Sequence, residues 1–217
     1  FTQPDDPAGH AFLSENDCDG LMVVPYSKHC MTFLENLKQP AKPLATLYRH
    51  IRNDRIYRFA VDNDQGAYLA SDYLLRLGHR RIGLLLTSHE AAMPSTIERH
   101  DGYLRAMHEA GAADDNLVAI ANDMDNRAIR HAATQLLTQP DAPTALLVSG
   151  MGLMEPALAA IEECGLSIPD DLSVIGFDES EAAQAYSPTI SIVRMPLVEN
   201  GRRALEQLIE AITADHA

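Results

Sequence analysis

Tryptophan is absent from this 217-residue chain, cysteine occurs three times, and phenylalanine and tyrosine supply all of the 6% of aromatic residues. The scarce aromatics do not interleave with basic residues, which argues against a stacking platform for single-stranded nucleic acid. Cys18, Cys30 and Cys164 are odd in number and lack metal-ligand spacing. Two of them sit in apolar surroundings, where a free cysteine behaves as a small hydrophobe, and a reducing cytoplasm suits such usage. Positive charge is also short, with 17 Lys and Arg against 31 Asp and Glu and a net charge of −14. That balance repels a polyanion, so any DNA binding would need another segment. The acidity itself is read as ordinary solubility, with a salt-rich cytoplasm as the alternative.

No apolar run approaches the roughly 20 residues that span a bilayer. The start Phe1-Thr2-Gln3-Pro4 has neither the basic nor the apolar part of a signal peptide. Nothing addresses the chain to a membrane. Walker A, H-E-x-x-H, G-x-S-x-G and CxxC patterns are missing, and the nine histidines are scattered singly. His29 and Cys30 adjoin without an evident acid partner. Gly150 and Gly152 begin a dinucleotide-like pattern, but its third glycine position is Glu155. The expectation is therefore a protein without catalysis, cofactor or metal.

What is present is 46% hydrophobic sequence, enough for a core, arranged in short runs that alternate with helical periodicity. Strands are expected at 20–24, 44–47, 58–61, 81–86, 117–120, 145–148, 172–177 and 191–194. Helices are expected at 30–37, 65–77, 97–110, 127–138, 153–164 and 198–212. Continuous apolar strands between helices predict βαβ units and parallel sheets, an α/β fold. The helix at 65–77 is clearest: Ala67, Ala70, Tyr73, Leu74 and Leu77 share a face, Asp62 and Asn63 can cap it, and Gly78 stops it. Pro140-Asp141-Ala142-Pro143 is a turn before a strand. Arg49, Arg52, Arg55 and Arg58 are read as a solvated loop and strand edge, with contact to an acidic partner as the alternative.

Two segments carry more than fold. Ile168-Pro169-Asp170-Asp171-Leu172-Ser173-Val174-Ile175-Gly176-Phe177-Asp178-Glu179 leaves a carboxylate at the C-terminal end of a buried strand, where α/β folds build ligand sites. Val61-Asp62-Asn63-Asp64-Gln65-Gly66-Ala67 leads through the capped helix into Leu77-Gly78-His79-Arg80-Arg81-Ile82-Gly83. Together they resemble the effector-binding part of LacI/GalR-type bacterial transcriptional regulators, over most of the chain. The resemblance implies two doubly wound parallel-sheet lobes of the type I periplasmic-binding-protein-like kind. The first lobe would use residues 1–76 plus 197–217, the second 77–194. The first lobe would be incomplete, since the family's helix-turn-helix headpiece, first strand and helix, and final strand have no counterpart here.

The resemblance also assigns a site. Asp178 would contact the effector, the alternative being a strand-end residue that caps the next helix. Arg99, just before Gly102-Tyr103, would offer planar donors to hydroxyls, a carboxylate or a phosphate, or else pair with Glu98 or Asp101. Asp64 would face the cleft or serve as a first-turn acid. Ser95 and His89 would be further contacts or solvated loop residues. Sugar-binding relatives commonly carry Asn-Asp where this chain has Ser149-Gly150-Met151-Gly152, an aromatic at Met124 and a polar residue at Met195. Those departures bear on which effector is bound.

The expected protein is a cytoplasmic, ligand-responsive repressor. It would take a small polar effector such as a sugar between its lobes, dimerise with itself, and reach operator DNA through a headpiece outside this chain. A periplasmic sugar-binding protein of a transporter is the rival of the same fold. The stretch at 151–160 and the strand after Ser187-Pro188 match surfaces that pair in family dimers, although packing on their own sheet accounts for the same residues.

Overall fold

The computed structural model describes residues 18–25, 27–87, 94–123, 125–150, 152–178 and 180–215, the side chains at 115 and 215 excepted. Among these residues the chain separates into two compact units, one made of Phe1–Val61 with Pro196–Ala217, the other of Asp62–Met195.

The first unit holds a three-stranded parallel sheet in sequence order: β1 (Leu21–Val23), β2 (Leu44–Tyr48) and β3 (Tyr57–Ala60). Helix α1 (Lys28–Asn36), capped by Ser27 Oγ on Cys30 N, places Cys30, Met31 and Leu34 against Leu44, Ile51 and Ile56. On the other face Ala45 and Leu47 meet Ala204 and Leu208 of the long helix α7 (Leu197–Asp215). Alternate residues of β2 thus go to opposite sides, as the pleat requires. Arg58 lies beside its sheet, with its guanidinium 3.2 Å from Asp54 and donating to the Ile51 carbonyl at 3.3 Å.

The second unit is a five-stranded, all-parallel sheet in the order β5-β4-β6-β7-β8. Its strands are β4 (Ile82–Thr87), β5 (Val118–Ala121), β6 (Ala145–Val148), β7 (Ser173–Phe177) and β8 (Ser191–Val193). Helices α2 (Asn63–Arg76) and α3 (Pro94–Glu109) cover one face. There Ala67, Leu74, Tyr103 and Met107 pack on Ile82, Leu84, Leu147 and Ile175. Helices α4 (Asn126–Thr138) and α5 (Met154–Glu163) cover the other, with Ile129, Ala133, Ala157 and Ile161 against Leu85, Leu146 and Val174. Two features were not expected from the pattern: a short helix α6 (Glu181–Ala185) and a 3₁₀ turn at Asp115–Leu117.

The two compact units divide at Val61/Asp62 and again at Met195/Pro196. Helix α2 belongs to the second unit because its start lies directly on α3. A Cβ on Gly102 would stand 2.1 Å from the Asp64 carbonyl oxygen, so the two helix backbones touch where only hydrogen fits. The end of α2 follows expectation. Gly78 takes φ 101°, and the Gly78 and His79 amides donate to the Leu75 and Leu74 carbonyls, a Schellman stop. His79 then sits between hydroxyls at the entry of two strands, 2.8 Å from Thr144 Oγ1 and 3.1 Å from Ser173 Oγ. Arg81 Nε donates to the Ala142 carbonyl at 3.0 Å. In the second unit this motif therefore organises the N-terminal end of the sheet.

Candidate functional site

The order β5-β4-β6-β7-β8 changes direction between β4 and β6, the switch point beyond whose strand ends open α/β sheets take ligands. Thr87 ends β4, Ser149 follows β6, and Asp178 follows β7. Ser149 N donates to the Leu85 carbonyl at 3.1 Å, and the register Val148↔Gly176 sets Ser149 beside Phe177. Thr87 and Ser149 are 0% and 1% exposed, and their hydroxyls have no hydrogen-bond partner among the described residues. Buried hydroxyls so placed are costly unless a partner beyond these residues satisfies them.

Asp178 takes a positive φ of 76°, a backbone state unfavourable for a residue with a Cβ and concentrated at functional positions. Its backbone amide is held by the Val193 carbonyl at 3.1 Å. Across from it comes Arg99, one helical turn after Ser95 on α3. Arg99 is only 7% exposed, and its Nη2 stands 3.7 Å from Asp178 Oδ2. Its guanidinium carbon lies 3.9 Å from the centroid of the Phe177 ring. Nε donates to Asn63 Oδ1 at 2.9 Å, and Nη2 approaches Met195 Sδ at 3.7 Å. A charge removed this far from water is retained only when paired and hydrogen-bonded, and each of these contacts serves that end.

The structure thus brings together Arg99, Asp178 and Met195 of the expected residues. Ser95, at 8% exposure, is buried in the first turn of α3, and Ser149 lies at the neighbouring strand end. Asp64 is placed differently: its carboxylate pairs with Arg105, whose guanidinium lies 4.0 Å from the Tyr68 ring centroid. That pairing raises the Arg105 pKa, the Asp64 hydrogen bond being the main cause. Tyr68 in turn donates to Glu109 Oε2 at 2.7 Å, and this bond raises the phenol's pKa. His89 and Met124 lie outside the described residues.

Asn63, Phe177 and Thr87 were not singled out as site residues. Asn63 reads as a helix cap, yet Asp62 is the cap, its carboxylate accepting from Gln65 N at 2.9 Å. The Asn63 side chain is 3% exposed and turns inward to Arg99 and to Glu98 Oε2, also 2.9 Å away. A second polar residue where a cap needs only one was the available signal. No metal-ligating cluster of three or more His, Cys, Asp or Glu occurs among the described residues.

Residues 71–217 match a family profile described as a periplasmic binding protein-like domain. Over 207 residues the chain is 30% identical to the HTH-type transcriptional repressor PurR of Vibrio atlanticus, covering 92% of this chain and 59% of that protein. The PurR of Proteus mirabilis is 28% identical over 211 residues, covering 93% and 59%. The chain spans about three fifths of the length of these curated relatives. Among solved structures, it is similar to a sugar-binding transcriptional regulator of the LacI family from Escherichia coli complexed with phosphate. The TM-score is 0.77 and the identity 27%, over 90% of this chain and 69% of that one. A regulatory protein of the LacI family from Chloroflexus aggregans gives a TM-score of 0.77 at 28% identity, over 90% and 69%.

Proposed function

This chain belongs to the family of periplasmic binding protein-like domains, in the form that serves LacI/GalR-type regulators as their effector-binding part, and from that premise we propose that it is the ligand-sensing core of a transcriptional repressor. The ligand is small and polar, a sugar or a sugar derivative. Arg99, Asp178 and Met195 meet it from the second unit, with Ser95 and Ser149 beside them. The protein binds its ligand without turning it over and works in the cytoplasm.

The observation that carries this reading is the Arg99–Asp178 pair over Phe177, at the strand ends beside the switch point. A guanidinium donates and a carboxylate accepts, and a hydroxyl does both, so neighbouring hydroxyls suit the two groups together. The buried Thr87 and Ser149 hydroxyls add polar partners of the same kind. Ligand-dependent control follows if the ligand prefers one arrangement of the protein. Differential affinity sets the response, and a swing from 1:99 to 99:1 takes roughly 10⁴-fold.

Operator DNA is contacted by a helix-turn-helix segment outside these residues, since a net charge of −14 suits no polyanion. A second copy of the chain is the other partner. An open groove of about 550 Å³ runs between α5 and the residues after α6, where Leu158, Leu166, Ile168 and Tyr186 line it and Glu155 and Glu162 flank it. That partly apolar surface supports self-association.

The test is thermal unfolding of the longer protein against pentoses, hexoses, sugar acids, sugar phosphates and nucleobases. A ligand at 100 times its dissociation constant adds about 2.7 kcal/mol. A shift with a sugar, together with changed operator affinity, supports the reading. A shift with a nucleobase alone would overturn the ligand class, and a ligand that leaves operator binding unaltered would overturn the repressor.

A further inference from the structure

We infer that Asn63 and Met195 are positioning residues that hold the Arg99 guanidinium, and that through them both segments where the chain passes between its units are tied to one side chain. The chain leaves the first unit after Val61 and returns to it at Pro196. Asn63 stands two residues beyond the first crossing, and Met195 is the last residue before the second. Each contacts Arg99: Nε donates to Asn63 Oδ1 at 2.9 Å, and Nη2 approaches Met195 Sδ at 3.7 Å.

The Asn63 amide has only one useful orientation. Its Nδ2 donates to Glu98 Oε2 at 2.9 Å, which turns Oδ1 toward Arg99. Reversed, the amide would aim donors at a guanidinium that has donors only. Glu98 therefore sets Asn63, and Asn63 sets the Nε edge of Arg99. Phe177 supports one face of the guanidinium. The ring keeps its place because Gly66 leaves room, a Cβ there falling 2.8 Å from Phe177 Cζ. The Nη edge faces Asp178 and Met195.

The regulatory meaning rests on the effector reading above. A ligand that takes the Nη edge competes with Met195 for Nη2 and pulls on Nε at Asn63, so binding is registered at both crossings. Arg99 then acts as ligand contact and as the common tie of the two segments.

The test uses the whole chain without ligand, so its failure is separable from failure of the sugar reading. Arginine Nε–H exchange and methionine methyl signals are followed by NMR, with the Arg99 signal identified by its loss in Arg99→Gln. Asn63→Ala is expected to speed Arg99 Nε–H exchange by about tenfold or more, and the pair Asn63→Asp with Glu98→Gln, which keeps the acceptor and gives it a donor in place of Glu98, to stay within about threefold of wild type. The Met195 methyl signal is expected to move in Arg99→Gln. Unchanged exchange in Asn63→Ala, no rescue by the Asn63→Asp, Glu98→Gln pair, or an unmoved Met195 methyl would each overturn the inference. Should Asn63→Ala fail to fold, Asn63→Ser gives the same readout, because its side chain is too short to reach Nε.

Discussion

Arg99 Nη2 stands 3.7 Å from Asp178 Oδ2, and the same guanidinium lies 3.9 Å from the ring centroid of Phe177, the residue before that aspartate. Strand β7 therefore supplies both the acid that faces the arginine and the surface on which it rests. Asp178 combines a positive φ of 76° with an amide that donates to the Val193 carbonyl at 3.1 Å.

Arg99→Lys is expected to fold and to bind poorly. A lysine keeps the charge but loses the planar fork, the Nε donor to Asn63 and the stacking on Phe177. The expected loss in ligand affinity is about 10-fold to 100-fold, or roughly 1.4–2.7 kcal/mol, measured by calorimetric titration with a ligand found in the thermal screen. Equal affinity would mean that charge alone suffices.

Gly102→Ala tests the close contact between α2 and α3. The new methyl would fall 2.1 Å from the Asp64 carbonyl oxygen, and backbone cannot yield as a side-chain tip does. A destabilisation of about 2 kcal/mol or more is expected from overpacking of this kind, read as a lower urea midpoint. Wild-type stability would show that the helices separate at little cost.

Acidification acts through His79. Burial lowers its pKa in the folded state, while the unfolded chain keeps a value near 6.5. Between those two values the unfolded state binds more protons, so stability rises with pH. The contribution is complete above about pH 6.5 and is lost as pH falls toward the folded value. His79→Gln, which can still bond Thr144 and Ser173, is expected to flatten the fall in stability as pH drops below about 6.5. Parallel curves for the two proteins in urea would contradict this.

Tyr186→Glu adds a third carboxylate to the groove flanked by Glu155 and Glu162. If copies of the chain meet there, like charge brought into the interface separates them. On that proposal, sedimentation is expected to show a dimer for the wild type and monomers for the variant. A variant that remains dimeric would place the interface elsewhere.

The strands and longer helices were legible because buried parallel strands are uninterrupted apolar runs and amphipathic helices repeat at three and four residues. Asp62 and Gly78 bounded α2 for the same local reason. That α2 and α3 touch backbone to backbone was not legible, since the contact, Gly102 on Asp64, is made by residues 38 apart in sequence. Of the candidate site, the motifs pointed to Arg99 and Asp178, and a departure from relatives pointed to Met195; their proximity is a tertiary fact. Asn63 was not, because an amide that caps a helix and one that holds a buried guanidinium look alike until the tertiary partner is known. Asp64 shows the converse: its position in the motif says nothing of Arg105, whose side chain reaches it from α3.

The most direct measurement is calorimetric titration of the wild type and of Arg99→Ala with one screened ligand, with folding of the variant checked by its urea curve. Deleting a buried, charge-assisted donor is expected to weaken binding by about 100-fold or more, near 2.7 kcal/mol, while the variant remains folded. Binding of undiminished strength to folded Arg99→Ala would contradict the account, because the ligand would then lie away from the Arg99–Asp178 pair.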